Sequence, residues 1–178
     1  PKGAGALVRG NDAALQPLVQ GGGQEGGIRA GTQDVPAISG LGLAAKLAES
    51  EREHAAAHMA TLLAVLKEGI ADRHLGRVIE PGTPSQPLLP NILSFIVDGP
   101  PAEVFLHHLD ARGLAASAGS ACQSSKKSMN PALFAIDLDE DQARRVLRLS
   151  IGKGTSLEEV QRGLALLEEV RSELARHA

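Results

Sequence analysis

Residues 34–178 predict an α/β or α+β layer in which helices cover one face of a small sheet. Apolar residues recur at helical spacing in two long stretches, one starting near Asp34 and one closing the chain. Between them stand short β-branched runs bounded by Gly, Pro, Asn and Asp. With 178 residues, 43% hydrophobic and 22% charged, the composition is globular, enough for one domain and a piece of another.

The chain opens at Pro1-Lys2-Gly3-Ala4-Gly5 and runs without Met or leader into Ala6-Leu7-Val8, the start expected of a fragment. Residues 5–9 read as a strand stopped by the turn Gly10-Asn11-Asp12. The segment Gly21 to Thr32 holds six glycines in 12 residues and reads as a loop, too permissive in φ/ψ for a helix or regular strand.

Pro36 suits a first helical turn, and Ile38, Leu41, Ala45, Leu47, Leu62, Leu63, Leu66 and Ile70 place one long helix or two consecutive ones up to Asp72. Val78-Ile79 is a weak strand before the breakers Pro81 to Ser85, and Asn91 to Val97 is a stronger one. A helix opens with Pro101 at its first position and ends at Gly113. Small residues from Leu114 to Ala121 carry a strand into a cysteine-bearing loop. The acidic stretch Asp137 to Asp141 starts a short helix, and Val146 to Ile151 forms a further strand. Ser156 and Glu159 make a capping box, after which Val160, Leu164, Leu167, Val170 and Leu174 line one face of a terminal helix.

Eighteen basic and 21 acidic residues give a net charge of -3, which excludes a bulk electrostatic case for nucleic acid or an anionic membrane. No run approaches the roughly 18 apolar residues of a membrane span. The sequence reads as that of a soluble, cytoplasmic protein working on small molecules. A single cysteine rules out an internal disulfide and a cysteine-rich metal site.

That cysteine, Cys122, lies among small and polar residues from Ala115 to Ser128, where a structural thiol would sit on a bulky apolar face. Lys126 and Lys127 favour its thiolate. An inert thiol and a nucleophile on a mobile loop both remain open from these residues alone. Arg148 alternates with Leu147 and Leu149, so it points away from the apolar side together with Val146 and Ser150. The pattern alone favours a solvent-facing charge over a fork that grips a carboxylate.

Arg29 and Thr32 in the glycine loop have donors suited to a phosphate, although the loop matches no nucleotide-binding pattern and a plain surface loop is the simpler reading. His54 and His58 stand four apart on a helix but lack a third ligand, so they read as a solvated face, as do His107 and His108.

Five segments in order resemble the C-terminal part of the cysteine desulfurases, pyridoxal-phosphate enzymes of the class V aminotransferase group. They are Pro1-Lys2-Gly3-Ala4-Gly5-Ala6-Leu7, the GGGxExGxRxGT pattern from Gly21 to Thr32, Pro90-Asn91-Ile92-Leu93, Ser117 to Cys122, and Arg148-Leu149-Ser150-Ile151-Gly152. The resemblance covers nearly the whole chain and looks like the long-loop subgroup.

It implies that residues 1–33 end the large cofactor domain and that 34–178 form the small C-terminal α/β domain of a fold-type I enzyme, with a mostly antiparallel sheet. It implies removal of sulfur from L-cysteine to give L-alanine and a persulfide on Cys122, for iron–sulfur cluster assembly or another sulfur-transfer route. Arg148 would bind the substrate carboxylate, which reverses the preference drawn from pattern alone. Thr32 would reach the cofactor phosphate of the neighbouring subunit in a homodimer. A sulfur-acceptor or scaffold protein would receive the persulfide, and the segment after Cys122 is slightly longer than is usual in the family. The family's Schiff-base lysine falls before Pro1, and Lys2 does not replace it, so the fragment alone is expected to be inactive. Alternatives are another class V enzyme, such as an aminotransferase or a selenocysteine lyase, and a non-enzymatic persulfide carrier or docking module.

Overall fold

A computed structural model of the chain describes residues 2–80, 88–119 and 131–176. Two compact units are present, Pro1–Glu53 and His54–Ala178. Helix α1, Val35–Asp72, runs through the boundary as one uninterrupted element, which settles the choice between one helix and two.

In the first unit, residues 5–9 form no strand. A strand needs a partner for its backbone groups, and none pairs with this segment among the described residues. Its side chains are correspondingly bare, with Val8 94% exposed. The turn that follows does form, closed by the Ala13 N–H donating to the Gly10 carbonyl at 3.1 Å.

The glycine segment is more ordered than its composition predicts. It contains a single 3-10 turn at Gln24–Gly27, in which Glu25 and Gly26 take left-handed φ of 52° and 65°. The Gln24 side chain then accepts from the Gly31 N–H at 3.2 Å and ties the segment across. Asp34 starts α1 by accepting from the Ala37 N–H at 3.1 Å, an N-cap that satisfies an otherwise orphaned donor.

In the second unit, a four-stranded sheet has the order β1-β2-β4-β3, with every neighbouring pair antiparallel. The strands are β1 Gly76–Val78, β2 Ile92–Val97, β3 Ser117–Ala118 and β4 Val146–Ser150. The helices are α2 Ala102–Asp110, α3 Pro131–Phe134, α4 Glu140–Arg144 and α5 Leu157–Ala175. Pro101 is the N-cap of α2 rather than its first residue, with ψ of 145°. Asp139 caps α4 through a capping box, and Ser156 and Glu159 do the same for α5. Hydrogen bonds from the Ser156 backbone and hydroxyl hold the Glu159 carboxyl below its ordinary range.

Leu93, Phe95, Val97, Leu147 and Leu149 alternate onto the inner face of the sheet. There they join Leu62, Leu66 and Ile70 of α1, Phe105 and Leu109 of α2, and Leu164, Leu167 and Val170 of α5 in one core cluster. The expectation of helices on a single face needs one correction. A second, smaller cluster of Ile96, Val146 and Leu138 covers one end of the outer face, with Ile79, Leu133 and Ile136 packed on it. Among the described residues no helix is long and apolar enough to cross a membrane.

The link from α1 to β1 depends on glycine. His74 has φ of 51°, Leu75 turns into the core at 2% exposure, and Gly76 has φ of 151°. A Cβ at Gly76 would stand 2.0 Å from the Ile96 carbonyl oxygen, a backbone atom that the β1–β2 pairing holds in place. Gly76→Ala is therefore expected to destabilise the full-length protein by about 3 kcal/mol, combining a steric clash with backbone strain. Urea unfolding checks this, and an unchanged midpoint would contradict it.

Candidate functional site

The hydrogen-bond phase of the sheet determines what surrounds Arg148. The Val97 N–H donates to the Arg145 carbonyl and the Ile151 N–H to the Asn91 carbonyl, both at 2.9 Å. Counting between these bonds by twos makes Ser94 and Arg148 a non-hydrogen-bonded pair, the type whose side chains approach most closely. On the other side, Arg148 lies opposite Ser117 of β3. One row of the outer face thus reads Ser94, Arg148, Ser117.

Arg148 is exposed, as the alternation along β4 predicts. Its neighbour Val146 shares the outer face but is buried under the smaller cluster, and Ile79, packed on that cluster, stands beside Ser94 at the far end of the Arg148 row. Among the described residues no carboxylate pairs with the Arg148 guanidinium, whereas Arg144 and Arg145 of the preceding turn are bound to Glu140 and Asp141. An exposed, unpaired guanidinium on a rigid central strand is suited to bidentate binding of a carboxylate from solution.

Cys122 and the two lysines after it, Lys126 and Lys127, lie outside the described residues, as do the breakers Pro81 to Ser85. The described flanks on either side of Cys122 do meet each other. The Gly119 N–H donates to the Val146 carbonyl at 2.9 Å. A Cβ at Gly119 would stand 2.9 Å from Leu133 Cδ1 and 3.2 Å from Val146 Cβ, so glycine here lets α3 seat directly on the outer face. Both flanks are thereby fixed to the same face as Arg148.

Thr32 is exposed and follows Gly31, whose φ is 111° and whose N–H is occupied by Gln24. Its hydroxyl has no partner among the described residues. Arg29 bonds back onto the Ala30 carbonyl, so the structure assigns it to holding the loop. Thr32 belongs to the first unit and Arg148 to the second.

Two of the histidines read as solvated are in use. The His58 ring nitrogen Nε2 bonds the Thr155 carbonyl at 2.8 Å and ties α1 to the turn before α5. His108 meets Glu173 at 3.4 Å, in a group with Arg112 that joins α2 to α5. No group of three metal-ligating side chains occurs among the described residues. A small hollow lined by Leu66, Leu114, Leu149, Val160 and Leu167 opens on the helical side, with Glu159 its single charged lining residue.

The class V aminotransferase profile matches residues 1–162. The chain belongs to the class V aminotransferase family. It is 37% identical over 174 residues to a cysteine desulfurase of Rhodobacter capsulatus, covering 98% of this chain and 44% of that protein. Identity is also 37%, over 179 residues, to the cysteine desulfurase IscS of Methanosarcina thermophila, covering 98% and 42%. A solved NifS-like protein superposes with a TM-score of 0.76 at 32% identity, covering 92% of this chain and 41% of that one. The chain thus spans less than half the length of these relatives. The small antiparallel sheet with its helices is the fold this family resemblance implied.

The sequence-based reading missed Ser94 and Ser117 as neighbours of Arg148. Strand alternation shows which face each serine takes, but the register that places them opposite Arg148 comes only with pairing. Arg148 stands clear of the core, so Arg148→Ala is expected to change folding stability by no more than about 0.5 kcal/mol. Thermal unfolding of the full-length protein checks this. A large loss of stability would make Arg148 a structural residue.

Proposed function

We propose that this chain is the C-terminal portion of a pyridoxal-phosphate-dependent cysteine desulfurase, in which Arg148 holds the substrate carboxylate and Cys122 receives the substrate sulfur. Residues 1–33 end the large cofactor domain and 34–178 make the small domain. The observation that carries the reading is the exposed Arg148, without an ion-pair partner among the described residues, on the sheet face to which both flanks of the Cys122 segment are fixed. Similarity to cysteine desulfurases over nearly the whole chain supports it.

Covalent geometry limits how far Cys122 can be from this face. Only Ser120 and Ala121 stand between it and Gly119 in the sequence. Gly119 is two residues beyond Ser117, the cross-strand partner of Arg148. In this reading a substrate held at Arg148 by its carboxylate meets a thiolate carried by the segment that follows Gly119.

The donors present fit the cofactor in part. Thr32 offers a hydroxyl that has no partner among the described residues, beside a backbone that Gln24 holds in place, which suits one arm of a phosphate site. When bound, pyridoxal phosphate supplies an electron sink that makes the substrate Cα–H acidic. Thr32 would hold the cofactor phosphate of a second subunit, so the working enzyme would be a homodimer.

Arg148 orients the substrate by binding its carboxylate through two parallel hydrogen bonds. The Cys122 thiolate then attacks the substrate Sγ. An S–S bond forms as the Cβ–Sγ bond breaks, and the bonding pair stays on Cβ, which takes up a proton. The products are alanine and a persulfide on Cys122, and the terminal sulfur passes to an acceptor protein.

Cys122→Ser in the full-length protein is expected to lower alanine formation from L-cysteine by more than about 100-fold, the scale of losing a covalent nucleophile. An unchanged rate would remove Cys122 from the reaction and favour another class V activity.

A further inference from the structure

The pairing of β4 with its two neighbours ends at different places. On the β2 side the ladder runs on to Ile92 opposite Ser150, and the Ile151 N–H closes it by donating to the Asn91 carbonyl at 2.9 Å. On the β3 side it stops two residues earlier, with Ser117 opposite Arg148. Backbone groups of an antiparallel strand alternate between its two neighbours, so Ile92 and Ser150, like Ser94 and Arg148, are a non-hydrogen-bonded pair. The Ser150 N–H and C=O therefore point to the β3 side, where Ala115 would be next in register. The ladder does not reach Ala115, and neither Ser150 group has a hydrogen-bond partner among the described residues.

The hollow on the helical side, with a volume of about 160 Å³, opens at this same place. Ala115, Ser150 and Ile151 line it, together with Val160 and Gly163 of α5. Gly163 is buried within a helix, where glycine is less favourable than alanine. A Cβ there would meet only Leu114 Cδ1, at the ordinary contact distance of 3.7 Å. The packing among the described residues does not require glycine at this position, whereas a group entering the hollow would.

An open strand edge beside an apolar hollow is complementary to extended polypeptide. A residue set opposite Ser150 returns both hydrogen bonds with its own N–H and C=O. The residue next to it points to the other face of the sheet and puts its side chain inward, beside Ile151. A cavity of about 150 Å³ takes a benzene ring, so the hollow has room for one Leu-sized or Phe-sized side chain. The scale also selects the source. One residue pair and one side chain fall far short of the roughly 800 Å² per partner that a stable interface between separate proteins buries. A strand of the same polypeptide is held at an effective concentration in the millimolar range and needs no such area. The relatives are more than twice as long as this chain, of which they leave over half outside the matched part.

We propose that an extended segment of the same polypeptide, outside residues 1–178, pairs with Ser150 at this edge and seats an apolar side chain in the hollow. The inference rests on the reading of this chain as the C-terminal portion of a longer protein. It extends the sheet along the strand that carries Arg148 and brings the rest of the polypeptide to within two residues of it.

The test uses the full-length protein with the photoreactive residue p-benzoylphenylalanine in place of Ala115, an exposed position, and peptide mapping after irradiation. A crosslink to a peptide outside residues 1–178 is expected, in a product with the mass of one polypeptide. In the unsubstituted protein, deuterium exchange of the Ser150 amide is expected to be slower than that of an unprotected amide by about 100-fold or more, as for a bonded strand position.

A product of twice the mass would give the edge to a second copy and overturn the proposal, and a crosslink to a peptide within residues 1–178 would overturn it as well. A freely exchanging Ser150 amide would do so whatever the crosslink shows. In each of these cases the reading of Arg148 and Cys122 stands, since it is tested by alanine formation. A natural polypeptide with an intact mass near 18.5 kDa would instead overturn both the proposal and the reading of the chain as a portion.

Discussion

The antiparallel register of β2 and β4 is the constraint on which the rest of the site depends. It puts Leu147 and Leu149 into the core opposite Phe95 and Leu93, and in doing so turns Arg148 outward opposite Ser94. Because side chains alternate with a period of two, a slip of one residue would exchange the faces, burying a guanidinium and exposing two leucines. Burial of an unpaired charge is costly enough to exclude that alternative. The apolar core and the exposed arginine are therefore two consequences of one pairing.

The same sheet also fixes the ends of the segment that carries Cys122. β3 has only two residues, but it joins the edge of β4, and Gly119 continues the contact. On the return, Leu133 of α3 packs into the space that a side chain at Gly119 would take. The smaller cluster built on Ile96, Val146 and Leu138 thus has a use beyond stability. It holds the far flank of the Cys122 segment on the face that carries Arg148.

Much of the second unit was legible because its signals are local. The capping box of α5 lies within Ser156 to Glu159, and α1 ends at Asp72, where the apolar spacing stops. The alternation of Val146 to Ile151 was enough to give Arg148 its face. Features that depend on distant partners were not legible in this way. Residues 5–9 carry strand-like composition but find no partner, and Val146 is buried by residues more than seven positions away in sequence. His58 and His108 looked solvated because their acceptors, Thr155 and Glu173, come from α5 and the turn before it. The Arg148 site required both kinds of reading, since its exposure follows from alternation and its two serine neighbours only from register.

The central claim is that Cys122 takes sulfur from an amino acid held at Arg148, and peptide mass mapping of the full-length protein after incubation with L-cysteine tests it most directly. A gain of about 32 Da, one sulfur atom, is expected on the peptide containing Cys122, removed by a thiol reductant and absent in Arg148→Ala. Alanine formed in quantity with Cys122 unmodified throughout would contradict it.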